Sequence, residues 1–212
     1  MRVAIKLIIT DHDGVIVDSS EDIYLAAWEL MADHSRGRRR IPSFLDFLRD
    51  FCLPGDGWFA RHGFNFPPEK IAETLRRAPE KASMFPTIPP LLARIQELKL
   101  PIMVVSAGDQ ERVERQLTSG RVWSHFELVV GGVLDKAMAI ALFCSVFDIE
   151  PTNAVYIGDM SSDMESGREA GVTTIGFTDD RPVMEKVLTK AGARFCVRSH
   201  EKLGDLLAEL AR

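Results

Sequence analysis

The stretch Lys6-Leu-Ile-Ile-Thr-Asp-His-Asp-Gly-Val-Ile-Val-Asp-Ser19 decides how the rest of the chain reads. The run from Val3 to Thr10 is apolar at almost every position, broken only by Lys6, and it does not alternate. Continuous apolarity of this length predicts a strand buried on both faces, as in the middle of a parallel sheet. Asp11 and Asp13 follow where that strand must end, and Gly14 lets the backbone turn tightly there.

Past this stretch the pattern changes. Ser19, Ser20, Glu21 and Asp22 read as a helix start, with hydroxyl caps and acids in the first turn, and Asp18 as a cap or pre-cap residue. Ile23, Ala26, Ala27, Leu30 and Met31 recur at helical spacing. A polar break from Arg36 to Pro42 carries the basic run Arg36, Arg38, Arg39 and Arg40, read as a solvated loop between helices, with an anion contact or partner patch as the alternative. Phe44, Leu45, Phe47, Leu48 and Phe51 form a second amphipathic segment, and Glu69 to Arg77 a third helix. Between them Leu53 to Pro68, rich in Gly, Pro and aromatic residues, reads as a long loop or a short irregular connection.

From Ile88 onward helices and strands alternate. Strands are expected at Ile102–Val105, Leu128–Val130, Ala154–Ile157, Thr173–Phe177 and Arg194–Val197. Helices are expected at Ile88–Leu98, Gln110–Leu117, Asp135–Phe147, Ser162–Ala170, Pro182–Lys190 and Leu203–Leu210. Ser162 and Glu165 are spaced as a capping box. Ala137 to Phe147 is apolar nearly all round, which predicts a helix deep in the core or covered by a partner subunit. The alternation predicts an α/β fold: a doubly wound parallel sheet from residues 1–15 and 86–212. Residues 16–85 are expected to be an inserted α-helical cap domain over the sheet's carboxyl edge, where ligands of such folds bind.

The bulk numbers are compatible with this plan. The chain has 212 residues, 46% of them hydrophobic, enough to bury a sizeable core. A net charge of −5 argues against nucleic acid as the partner. Cys52, Cys144 and Cys196 are far apart and show no metal-ligand spacing, so reduced core thiols in a cytoplasmic protein are expected. No apolar run approaches the ~20 residues of a membrane span.

Chemistry collects at the strand ends. Asp11 and Asp13, Ser106, and Asp159 with Asp163 follow separate strands, and Lys136 opens a helix. In a parallel sheet, strand ends of one sense share one edge, so these groups converge. Two carboxylates at ~4 Å repel by roughly 4 kcal/mol at an effective dielectric near 20. A hard divalent cation relieves that, and an oxygen-only donor set suits Mg2+, which in turn draws in a phosphate monoester.

This set resembles the haloacid dehalogenase superfamily, in its phosphatase branch with a helical cap. The sequence matches the first motif, DxDGxxxDS, at Asp11, Asp13, Gly14, Asp18 and Ser19, and the later ones at Ser106, at Lys136, and at Gly158, Asp159 and Asp163. The resemblance implies that Asp11 attacks phosphorus to form an aspartyl-phosphate, while Asp13 protonates the leaving alkoxide and then activates water. A neighbouring like charge would keep Asp13 protonated until needed. It implies that Ser106, Lys136 and backbone N–H groups after Asp11, that of Gly14 among them, hold the phosphoryl oxygens. Asp11, the carbonyl of Asp13, Asp159 and Asp163 would bind Mg2+. His12 stands where the family usually has an apolar or small residue, and is expected to be packed and hydrogen-bonded; Ala107 replaces a common Asn.

The resemblance is greatest to the phosphoglycolate phosphatase group, with a small phosphorylated metabolite as substrate and a monomer or homodimer as the active form. Trp58, Arg61 and His62 are the candidate substrate contacts in the cap. A sugar-phosphate mutase of the same fold and a non-catalytic phosphate-binding protein are the alternatives.

Overall fold

A computed structural model describes residues 4–35, 39–52 and 54–212. Arg36, Arg38, Leu53 and the first residue of the expected N-terminal strand, Val3, lie outside the described residues. The sheet has six parallel strands: β1 (Leu7–Thr10), β2 (Ile102–Val105), β3 (Leu128–Val130), β4 (Ala154–Gly158), β5 (Thr173–Phe177) and β6 (Phe195–Val197), in the order β3-β2-β1-β4-β5-β6. The first strand is thus central, with Ile8 beside Ile102 on one flank and Val155 on the other. The order reverses direction at β1, so a crevice opens beyond its carboxyl end.

Every residue of β1, β2 and β4 is buried, which is why these strands read as unbroken apolar runs. Alternate residues serve opposite faces. Ile8, Val104 and Val155 pack with α5 (Ile88–Leu98), α6 (Gln110–Ser119) and α10 (His200–Leu210). Leu7, Ile9, Met103 and Tyr156 pack with Ile140, Phe143 and Cys144 of α7 (Lys136–Val146). Helices on both faces complete the doubly wound α/β fold.

Helix α7 corrects one arm of its expectation, that of a helix deep in the core. It is not buried all round within the chain: Met138, Leu142 and Val146 are 68%, 57% and 64% exposed, as is Leu134 before them at 72%. Only the side carrying Ile140, Phe143 and Cys144 is packed. Composition cannot distinguish a helix buried all round from one whose outer face is also apolar.

Between β1 and α5 the chain forms α1 (Ser20–Ser35), α2 (Phe44–Asp50), α3 (Asp56–Arg61) and α4 (Pro68–Arg77), then a 3-10 turn at Ala78–Lys81. The expected loop after Leu53 therefore contains a helix. Its burial is supplied by two adjacent rings, Trp58 and Phe59, a pair too short to show a period. Phe47, Phe51, Trp58, Phe59 and Phe64 form one aromatic cluster, which also takes in Met164 of α8 (Ser161–Glu169) and Met184 and Leu188 of α9 (Pro182–Ala191). Where the insertion leaves and rejoins the sheet, the two chain segments hold each other: Asp18 N–H donates to the Ser83 carbonyl at 2.9 Å and Phe85 N–H to that of Ile16 at 3.0 Å.

Candidate active site

Asp11 continues β1, and its N–H still donates to Ile157 at 2.8 Å, so the strand itself fixes where this carboxylate projects. Asp159 follows β4 directly. Asp163 lies in the first turn of α8, where its Oδ2 accepts from the Met160 N–H at 3.0 Å. Asp163 itself, not the expected Ser162 and Glu165 pair, therefore serves this helix start. Oxygens of Asp11, Asp159 and Asp163 all lie within 4.8 Å of one another, and all three residues are buried.

Lys136 is the first residue of α7, held there by Asp135, whose carboxylate accepts from Met138 N–H at 3.0 Å. Its ammonium bridges two of the acids, 2.6 Å from Asp11 Oδ2 and 2.7 Å from Asp163 Oδ1. The hydroxyl of Tyr156 also donates to Asp163 Oδ1, at 2.9 Å. Asp11 Oδ1 accepts the His12 N–H at 2.7 Å. Asp159 is left with the fewest partners, a 3.4 Å contact from the Ser20 hydroxyl.

The electrostatics follow from this crowding. Burial pushes the Asp11 carboxyl up to about 7, against the pull of Lys136. Burial, with Asp163 and Asp11 adding to it, raises Asp159 well above the usual carboxylate range. Lys136 is raised despite burial, because Asp11 and Asp163 hold its proton. With all three acids ionised, one ammonium leaves two negative charges uncompensated in a buried site. The donors are oxygens only, as Mg2+ prefers. Gly14, at φ +73°, keeps the space beside Asp159 open, since a Cβ there would overlap that carboxylate. Asp11 and Asp159, with Asp163 behind them, thus fit a hard divalent cation.

Asp13 behaves differently from expectation. It lies outside the three-acid cluster and pairs with Arg112, Nη1 to Oδ1 at 3.0 Å and Nη2 to Oδ2 at 2.6 Å. Ser19 adds a third donor at 2.9 Å. Burial opposes ionisation, but the His12 ring 3.7 Å away and the Arg112 guanidinium outweigh it and hold the Asp13 carboxyl well below the usual range. The like-charge argument for a protonated Asp13 therefore fails in this structure: the nearest groups are cationic or donors. His12 is fully buried as expected, yet among the described residues neither ring nitrogen has a hydrogen-bond partner.

Ser106 continues β2 and is fully buried, with its hydroxyl accepting from the Gly108 N–H at 3.0 Å. The cap candidates lie apart from this set. Trp58 is fully buried and donates to Asp50 at 3.0 Å, while Arg61 reaches the Asp50 carbonyl, also at 3.0 Å. His62 packs on the Trp58 ring, centroids 4.8 Å apart, and lines a hollow of about 280 Å³ with Arg40, Pro42 and Asp46. Trp58 is a packing residue in this arrangement.

Four contributors escaped the sequence reading. Ser19 and Ser20 look like helix caps but turn back to Asp13 and Asp159. Tyr156 was legible as the one polar tip in an apolar strand. Arg112 was legible as a charge beside Val113 on a helix whose buried positions are Arg112, Val113 and Leu117.

A family model for haloacid dehalogenase-like hydrolases matches residues 8–177. The chain belongs to that family. Among curated relatives, a phosphoglycolate phosphatase of Synechococcus elongatus is 26% identical over 97 residues, 45% of this chain and 46% of that protein. A validoxylamine A 7'-phosphate phosphatase of Streptomyces hygroscopicus subsp. limoneus is 22% identical over 188 residues, 82% of this chain and 85% of that protein. Solved structures agree in fold. A haloacid dehalogenase-like hydrolase from Bacteroides fragilis superposes with a TM-score of 0.77 at 17% identity, over 95% of this chain and 99% of that one. A family hydrolase from Deinococcus radiodurans, solved with bound phosphate and sodium, gives 0.73 at 20% identity, over 98% and 97%.

Proposed function

We propose that the chain is a Mg2+-dependent phosphatase acting on a small phosphorylated metabolite through an aspartyl-phosphate. The observation that carries this reading is the cluster of Asp11, Asp159 and Asp163 with Lys136 bridging two of them. The relatives' names support the substrate class, since both denote small phosphate esters.

Mg2+, when bound by Asp11, Asp159, the Asp13 carbonyl and Asp163, would offset the uncompensated charge and draw a phosphoryl oxygen to the site. Asp11 is the nucleophile, aimed by β1 and by Lys136. Ser106 and Lys136 are the donors for phosphoryl oxygens, over which transition-state charge spreads; the Gly14 N–H, expected among them, is instead committed to the Val17 carbonyl at 2.8 Å. Asp13, ionised in its pair with Arg112, takes a proton from the water that attacks the aspartyl-phosphate. The same proton then serves the next leaving alkoxide. Helices α1–α4 form a cap that shields the intermediate from bulk water. Its hollow at Arg40 and His62 is the candidate for substrate selection. Free Cys52, Cys144 and Cys196 suit a reducing cytoplasm.

Release of inorganic phosphate from a generic aryl phosphate, with and without Mg2+, tests this reading. Hydrolysis that stops in chelator and resumes with Mg2+ is expected. Turnover indifferent to chelator, or none with any phosphate ester, overturns it.

A further inference from the structure

Arg112 has a place in the site but no task in the chemistry above. Only 3% of its side chain is exposed. Burying a guanidinium against a carboxylate gains little stability once desolvation is counted, so such a pair calls for a geometric reason. The geometry is specific. Two nitrogens grip both oxygens of Asp13, and Nη1 also donates to Gln116 Oε1 at 3.0 Å. Gln116, one turn further along α6, in turn donates to the carbonyls of Pro79 at 2.9 Å and Ala82 at 3.2 Å. Those carbonyls lie where the insertion returns to the sheet. Gly108 completes the arrangement: a Cβ there would overlap Arg112 Nη2.

We propose that Arg112 is a positioning residue that fixes both oxygens of Asp13 for the hydrolysis of the aspartyl-phosphate, and that Gln116 anchors Arg112 to the chain returning from the insertion. The proposal rests on the phosphatase reading. In the step concerned, water attacks phosphorus and gives its proton to Asp13. The bond from phosphorus to the Asp11 oxygen breaks, its electron pair returns to the Asp11 carboxylate, and inorganic phosphate leaves. The preceding phosphoryl transfer from an activated ester needs Asp11 but little help from Asp13, because an acidic phenol leaves as the anion. Loosening Asp13 therefore slows the second half-reaction selectively.

The test uses an aryl phosphate of an acidic phenol, with Mg2+, followed by stopped-flow on the wild type, Arg112→Gln, Arg112→Lys and Gly108→Ala. In Arg112→Gln, kcat and KM are expected to fall together by about a hundredfold, the low end of one acid–base contribution, with kcat/KM within about threefold of wild type. A burst approaching one phenolate per site should precede the slow turnover. Arg112→Lys should recover part of kcat. Gly108→Ala keeps the charge but displaces it, and should show the burst with a smaller fall; it decides the matter should Arg112→Gln not fold. A loss of kcat/KM equal to that of kcat without a burst, or an unchanged kcat, overturns the proposal while the phosphatase reading stands. A wild type that releases no phenolate overturns that reading and this one with it.

Discussion

The carboxyl edge of the sheet and the helical insertion spend buried volume in opposite ways. At the edge, the buried Asp11, Asp159 and Asp163 and the partly buried Lys136 are ionisable groups held by strand ends and one another. In the insertion, Phe47, Phe51, Trp58, Phe59 and Phe64 are buried rings that pack on α9. The first arrangement is costly to the fold and has a chemical purpose; the second stabilises the fold and has no chemistry of its own. Function and stability should therefore separate by region.

Asp11→Asn is the strongest probe of that separation. Turnover should fall at least about a thousandfold, because the proposed nucleophile is gone, while the melting temperature holds or rises. Phosphate release near the wild-type rate would break the contrast at its centre. Trp58→Ala tests the other region: truncating a fully buried ring should cost about 3–5 kcal/mol in denaturant unfolding. A cost under ~1 kcal/mol would show that the aromatic cluster does not hold the insertion together.

Asp159→Asn joins both sides of the comparison. Relief of repulsion should stabilise the fold by about 1 kcal/mol, while activity drops about a hundredfold or more. A variant that loses both would place Asp159 among the structural residues. The pH dependence sharpens the same point. The Asp11 and Asp159 carboxyls hold their protons more tightly folded than unfolded. Their contribution is full below the unfolded value of 3.8 and is lost as pH rises through about 7, the Asp11 value. Without metal, melting temperature should decline across that window, and added Mg2+ should raise it more at pH 8 than at pH 5. Equal shifts at both pH values would remove the carboxylates from the cation site. The smallest effect is expected for Arg61→Ala, with KM changing less than about threefold, since this guanidinium is committed to the Asp50 carbonyl. A larger rise in KM would bring Arg61 back as a substrate contact.

The two regions also differ in how far they can be read from sequence. Strands β1, β2 and β4 announce themselves because burial on both faces leaves almost no polar position, Thr10 and the Tyr156 hydroxyl excepted, and their ends then place Asp11, Ser106 and Asp159. What could not be read there is orientation. Asp13 is two residues from Asp11, yet its carboxylate turns to Arg112, a partner supplied by a helix nearly half the chain away. Ser19 and Ser20 satisfy every local rule for capping and still serve the site, because tertiary acceptors compete for the same hydroxyls. In the insertion the rings that pack and the rings that could bind substrate are the same residue types. Helix α3 hid for that reason, and so does specificity.

The central place of β1 has a consequence for synthesis. Its neighbours are β2 and β4, whose partners for Ile8 are Ile102 and Val155. Strand β1 must therefore stay unpaired, and largely apolar, until β2 has been made, and paired on one flank alone until β4 has followed. Contacts of such sequence separation form late and expose sticky surface meanwhile. The insertion, emerging directly behind β1 and built from local helical turns, can take shape first. Asp11 thus acquires its setting only when Asp159 and Asp163 have been made, and a chain truncated before β4 leaves Asp11 without either of them.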